Sequence, residues 1–352
     1  MSFSRLWRMA LAAIALGAAA AHAGVPYKIA TADAKGTYFA IGNDLAKVVM
    51  PGADIDLEVM PTDGSAANIK LLRYEPGVKF AIVQADVYQA FVDRGASNKG
   101  EASRMIRPLR VILPLYNTEI HYIVRADSPM NYIDDIKGAK INGGLVGSGA
   151  AFITNTLYRM MFGNDIPEAQ ASFLPNAEAL GKLVTDKSVD VVVVAAGQPA
   201  PIVANMKPEA QKLIKFLKFD PKRPSAKEAL KVYAPATVRQ SSYPQLLDAD
   251  FTTISVGAFL VTYDYNLQGT VESLRRFARS LCQNFPVLQE KGHPKWKEVQ
   301  LALPELNPGW TYYGPTSAEL RACAAGTSTA GLARRGARAS CSREERILGL
   351  CP

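Results

Sequence analysis

Lys35-Gly36-Thr37-Tyr38 and Gly147-Ser148-Gly149-Ala150 each follow a strand-like run directly and open a helix-like one. A helix start of this kind presents backbone N–H groups with no intrahelical partner and the positive end of the helix dipole, a seat for an anion. Glycine lets the main chain approach a ligand closely, and the neighbouring Thr37 or Ser148 adds a hydroxyl. Two such seats, far apart in one chain, predict two lobes that close on a small acidic molecule.

Working outward from the first seat, strand and helix alternate. Tyr27–Thr31 reads as a strand, Thr37–Val49 as a helix, Ile55–Met60 as a strand and Ser65–Arg73 as a helix. Phe80–Val83 and Asp86–Phe91 complete a βαβαβα order, which implies a mostly parallel sheet flanked by helices. Around the second seat the alternation resumes. Ile120–Val124 and Lys140–Asn142 are strands, Gly147–Gly149 leads into a helix through Phe162, and the all-apolar Val191–Ala196 is a core strand. Beyond a Pro-rich stretch, Thr252–Thr262 is a long apolar run, followed by a helix from Leu267 to Asn284. The fold class is therefore α/β with two lobes. Residues 24–117 with 235–322 form lobe 1, and 118–234 form lobe 2. The chain crosses near Leu113–Thr118 and returns near Pro235–Thr253, and two crossings make a hinge.

The ends of the chain read differently. Arg5 and Arg8, the apolar Met9–Ala20 and Ala21-His22-Ala23 have the layout of a secretory signal over residues 1–23, cleaved after Ala23, so a periplasmic location is expected. Residues 323–352 are rich in Ala, Gly, Arg and Ser without periodicity, and read as a disordered or aberrant tail. These ends carry most of the net charge of +8. Arg5 and Arg8 add two, and Gly326–Pro352 adds three (five Arg against two Glu), leaving +3 for the body. No basic block interleaved with aromatics occurs, so nucleic acid is not an expected partner. Three His and four Cys without ligand spacing offer no metal site, and no cofactor is expected.

Smaller motifs fill in the cleft. Gly36, Thr37 and Tyr38 would meet a carboxylate from lobe 1, and Gly147, Ser148, Gly149 and Ala150 from lobe 2. Ser65 opens a helix one βα unit after the first seat, where it can contact a ligand or cap that helix. Gln84 ends the strand Phe80–Val83 at the same sheet edge, while Asp86 reads as a cap for the next helix. The glycines of Gly144–Ala150 match neither nucleotide-binding pattern. Glu119 and His121, two apart on one strand face, are the one conceivable acid/base pair for an exported enzyme. A structural hydrogen-bonded pair is the plainer reading.

Together these motifs resemble the TAXI-type solute receptors of tripartite ATP-independent periplasmic (TRAP) transporters. The resemblance runs from about Tyr27 to Leu320. It is carried by Gly36-Thr37-Tyr38, Gly64-Ser65 with Asn68 and Leu71, Ile82-Val83-Gln84-Ala85-Asp86, Gly147-Ser148-Gly149, Ala196-Gly197-Gln198-Pro199, Tyr243-Pro244 and Leu306-Asn307-Pro308-Gly309. It implies a two-lobed periplasmic-binding-protein fold of type II and no catalysis. The implied function is capture of a small organic acid, glutamate- or dicarboxylate-like, for delivery to integral membrane permease subunits. A sensory or adaptor role is the alternative partnership. The chain is expected to be a monomer. Where the family's first turn is richer in glycine, this chain has Ala32-Asp33-Ala34-Lys35, placing one acid and one base beside the seat.

Overall fold

The computed structural model describes residues 24–97 and 100–336. The signal-like segment and residues 337–352 of the predicted tail lie outside the described residues. The first half builds β1 (Val25–Ala30), α1 (Thr37–Asp44, continued by a π turn over Leu45–Val49), β2 (Ile55–Met60), α2 (Ser65–Tyr74), β3 (Val78–Gln84), α3 (Ala85–Ser97) and α4 (Glu101–Ile106). A 17-residue strand, β4 (Leu109–Arg125), then leads into the second half. That half comprises β5 (Ile141–Asn142), α5 (Gly149–Phe162), β6 (Ala171–Ser172), α6 (Asn176–Val184), β7 (Val191–Ala196), α7 (Pro201–Ala204), α8 (Pro208–Gln211), β8 (Ile214–Phe216), α9 (Ala226–Ala229) and β9 (Ala234–Val238). The chain returns through β10 (Phe251–Tyr263) and ends in α10 (Gln268–Lys291) and α11 (Gly314–Gly336).

All ten strands belong to one sheet, ordered β2-β1-β3-β10-β4-β7-β5-β6, with β8 beside β4 and β9 beside β10. β2, β1 and β3 are parallel, as are β7, β5 and β6. Between these groups β4 and β10 pair antiparallel along most of their length. The chain thus passes between the two halves along paired strands rather than loose connections.

Each half buries its sheet on both faces. In β1 and β3, Ile29, Phe80 and Ile82 pack toward α1 and α10, while Ala30, Ala81 and Val83 pack toward α2 and α3. In β7, Val191 and Val193 join the core of α5, and Val192 and Val194 that of α6. A strand covered on both faces has no use for alternation, so Val191–Ala196 is an unbroken apolar run. α10 presents Leu274, Phe277, Ala278, Leu281, Phe285 and Leu288 at helical spacing to the first core.

The cores change over along the crossing strands. Leu113, Leu115 and Tyr116 of β4 lie in the first core, and Ile120, Tyr122 and Val124 in a core of the second half. On β10, Ile254 and Val256 belong to the second half, and Ala258 and Leu260 to the first. Asn117 and Gly257, at the two changeovers, are register partners, and the register shifts just beyond Gly257. Cys282 of α10 forms a disulfide with Cys323, 41 residues later, tying α10 to α11. Among the described residues, no helix is long and apolar enough to cross a membrane.

Candidate ligand-binding cleft

Three helix N-termini converge between the halves. α1 starts after Gly36 and α2 after Gly64, both without a side-chain cap, and α5 starts after Ser148. Each follows the carboxyl end of a strand or its loop, where open α/β sheets place ligands. They enclose a cavity of ≈ 140 Å³. The first half contributes Asp33, Lys35, Gly36, Thr37, Tyr38, Thr62–Ser65 and Gln84. The second contributes Gly144, Leu145, Ser148–Ala150, Pro175, Asn176, Val194–Ala196, Pro201 and Ile202.

Eight of the nine residues picked out in the sequence line this cavity: Gly36, Thr37, Tyr38, Ser65, Gln84, Ser148, Gly149 and Ala150. Gly147 does not. It sits at φ +85° and its carbonyl accepts the N–H of Ala66, so it caps α2 from the opposite lobe (3.2 Å). The hydroxyls are partly engaged as well. Thr37 Oγ1 donates to the carbonyl of Gly197 across the cleft (3.3 Å), so this hydroxyl proton is not directed at a ligand. Ser65 Oγ accepts the N–H of Gln84 (3.1 Å), and Ser148 Oγ accepts that of Ala151 (3.0 Å). At the helix ends themselves, main chain remains for an anion. The first N–H groups of α1 and α5, at Thr37 and Tyr38 and at Gly149 and Ala150, have no carbonyl to reach within their helices.

Glycine is required at two points of this wall. Gly64 has φ +112°, a region side chains disfavour. At Gly149 a Cβ would lie 1.2 Å from Gln84 Oε1, so the lobes touch there through the lack of a side chain. Around the cavity Tyr38 Oη, Gln84 Nε2 and Asn176 Oδ1 have no hydrogen-bond partner among the described residues. Burial pushes the Tyr38 hydroxyl well above its ordinary range, so it stays protonated and able to donate. Among the described residues Lys35 is the one cationic side chain in the lining, against the carboxylates of Asp33 and Asp63. Asp33 is turned back on its own loop, its Oδ1 accepting the N–H of Lys35 (2.8 Å).

With this geometry in hand, comparison with known proteins finds that the description of a single family matches residues 29–303, which takes in both halves and the whole cleft. The chain belongs to the NMT1-like family. Among solved structures this NMT1-like chain is similar to the periplasmic binding protein BugD, at 14% identity over 86% of this chain and 94% of that one, with a TM-score of 0.48. It is similar also to XAC2383 from Xanthomonas citri bound to ATP (11%, 86% and 99%, TM-score 0.46). A third is the arginine-, lysine-, histidine-binding protein ArtJ from Geobacillus stearothermophilus (14%, 75% and 94%, TM-score 0.45).

In the NMT1-like chain, Glu119 and His121 do not line the cavity. Glu119 is buried and accepts the backbone N–H of Gln198 (3.0 Å), the Gln198 carboxamide (3.0 Å) and Lys295 Nζ (2.6 Å). His121 Nε2 is bonded to Tyr243 Oη (2.9 Å), and burial lowers its pKa to about 4, so the ring is neutral near pH 7. Lys295 is fully buried and also donates to the Asn117 carbonyl (2.9 Å) and Glu298 (2.7 Å), while its stem packs on Gly197. Sequence reasoning named Glu119 and His121 as structural but missed the link of Glu119 to Lys295, together with Gly144, Pro175, Asn176, Pro201 and Ile202 in the wall. A Pro175-Asn176 step opening a helix was the available signal for Asn176. For Lys295 there was none.

Proposed function

We propose that this protein is an extracytoplasmic solute-binding receptor that closes two lobes on a small organic acid and delivers it to a membrane permease, the TRAP-type partnership of the sequence resemblance. One observation carries the reading. The N-termini of α1 and α2 from one half and of α5 from the other meet at a single cavity, where the buried carboxamide nitrogen of Gln84 is unpaired. Desolvated bonds to an ionised group contribute about 1.5–3 kcal/mol each, which favours a carboxylate over a neutral head. The membership of the NMT1-like family and the position of Glu119 and His121 outside the cavity support binding rather than catalysis.

In this reading the hinge lies where the cores change over, at Asn117 on β4 and Gly257 on β10. Residues 235–256 then belong with lobe 2, because Val238, Tyr243, Ile254 and Val256 pack there. Closure is driven by the ligand's preference for the closed form. The ligand retained through purification, identified by native mass spectrometry, should be a carboxylic acid. Titration calorimetry with glutamate, short dicarboxylates and simple monocarboxylates checks it independently. Folded protein that binds no carboxylate in either experiment ends the proposal.

A further inference from the structure

A second opening, a groove of ≈ 570 Å³, adjoins the cavity, and Lys35, Gly36, Pro201 and Ile202 line both. Its remaining wall is largely apolar: Phe39 and Ala40 from α1, Leu180 from α6, and Met206 beyond α7, with Asn205 as a polar exception. From this continuity we infer that the solute is a monocarboxylate whose apolar body extends from the cavity into the groove.

The inference rests on the receptor reading above and narrows it. Its first support is charge. A carboxylate seated at the N-termini of α1 and α5 uses the anion-favouring end of the cleft. For a second carboxylate Lys35 is the single cationic partner among the described lining residues, beside the neutral donors Tyr38 Oη and Gln84 Nε2, in a lining that also holds Asp33 and Asp63. The groove adds no further cation. An ionised group left there without a partner costs more than it returns.

Shape is the second support. The part of a solute that reaches past Lys35 lies against Phe39, Ile202 and Met206. These side chains reward methylene or aromatic surface and give nothing to a polar chain. Burying each methylene is worth roughly a fourfold gain in affinity.

The test is calorimetric titration of the full mature chain with straight-chain monocarboxylates from butanoate to decanoate, alongside succinate, glutarate and glutamate. Affinity is expected to rise roughly fourfold per methylene until the groove is filled. Each monoacid should bind at least about tenfold more tightly than the diacid of equal length. Met206→Glu, which puts a carboxylate into the groove, should flatten the chain-length dependence. If diacids bind as well as monoacids, or if chain length has no effect, the inference is overturned while the receptor reading stands. If no carboxylate binds at all, both fall together.

Discussion

The side-chain oxygen of Gln84 fills the space in which a side chain on Gly149 would begin, 1.2 Å from an ideal Cβ, although the two residues come from opposite lobes. Gln84 is 3% exposed, and its carboxamide oxygen lies against the Gly149 main chain. The absence of a side chain at 149 is thus a condition for the cleft to shut.

Gly149→Ala should therefore lower carboxylate affinity about tenfold, as expected for an overpacked contact costing 1–3 kcal/mol. Its far-ultraviolet circular dichroism should match the parent's. Adding Gln84→Gly to Gly149→Ala reopens the space but also removes the Nε2 donor, so calorimetry should show the double variant losing less affinity than the sum of the two single losses. An additive loss would mean that the contact is not what limits closure.

Asp86, on α3, accepts a hydrogen bond from the Tyr233 hydroxyl of the other lobe (3.0 Å) and another from the backbone of Val87. Burial raises its pKa to about 6 from 3.8. A carboxyl raised in the folded state contributes stability that is fully present below about pH 4 and is lost as pH rises through about 6. The change is on the order of 3 kcal/mol. His121 acts with the opposite sign, since a ring held down to about 4 loses its contribution as pH falls from 6.5. Comparing urea midpoints of the parent and Asp86→Asn at pH 4.5 and pH 8 isolates Asp86, because both proteins carry His121. Asp86→Asn should gain on the parent as pH rises; a constant difference would contradict the assignment.

Lys295 holds Glu119 and Glu298 together with the Asn117 carbonyl at the crossing strands. Lys295→Met keeps the stem and removes the charge, which strands the buried Glu119. The expected cost is about 3–5 kcal/mol in urea unfolding. Lys295→Met combined with Glu119→Gln should recover a substantial part of it, because the remaining network is neutral at that position.

Reducing the bond between Cys282 and Cys323 releases a loop of 41 residues. Loop-closure entropy sets the loss at about 4 kcal/mol, an upper figure if α11 stays docked. Cys282→Ser with Cys323→Ser should lower the thermal midpoint, and added reductant should shift the parent but not the double variant.

The cleft was legible before the structure because its chemistry is local. A glycine, a hydroxyl residue and the start of an apolar helical stripe mark a helix start wherever they occur, and both such starts face one cavity. β7 was legible because a doubly covered strand needs no polar face. The first half of β4 was not, since Pro114 and Asn117 interrupt its pattern and only pairing with β10 completes it. Pro235 hid β9 in the same way. The disulfide and the Lys295 network depend on partners 41 and 176 residues away, distances over which spacing carries no information about contact. Gly147 and Gly149 look alike in sequence, but one turns its carbonyl to the other lobe and the other accepts a side chain against its Cα.

The joining of the halves by β4 and β10 has a mechanical consequence. A ribbon of two hydrogen-bonded strands resists shear and stretch but tolerates twist, most readily at the irregular step beside Gly257. In the proposed receptor, opening would be rotation about essentially one axis, with the gape of the mouth governed by how far that ribbon can be wrung. Lengthening a surface loop elsewhere will leave the gape unchanged.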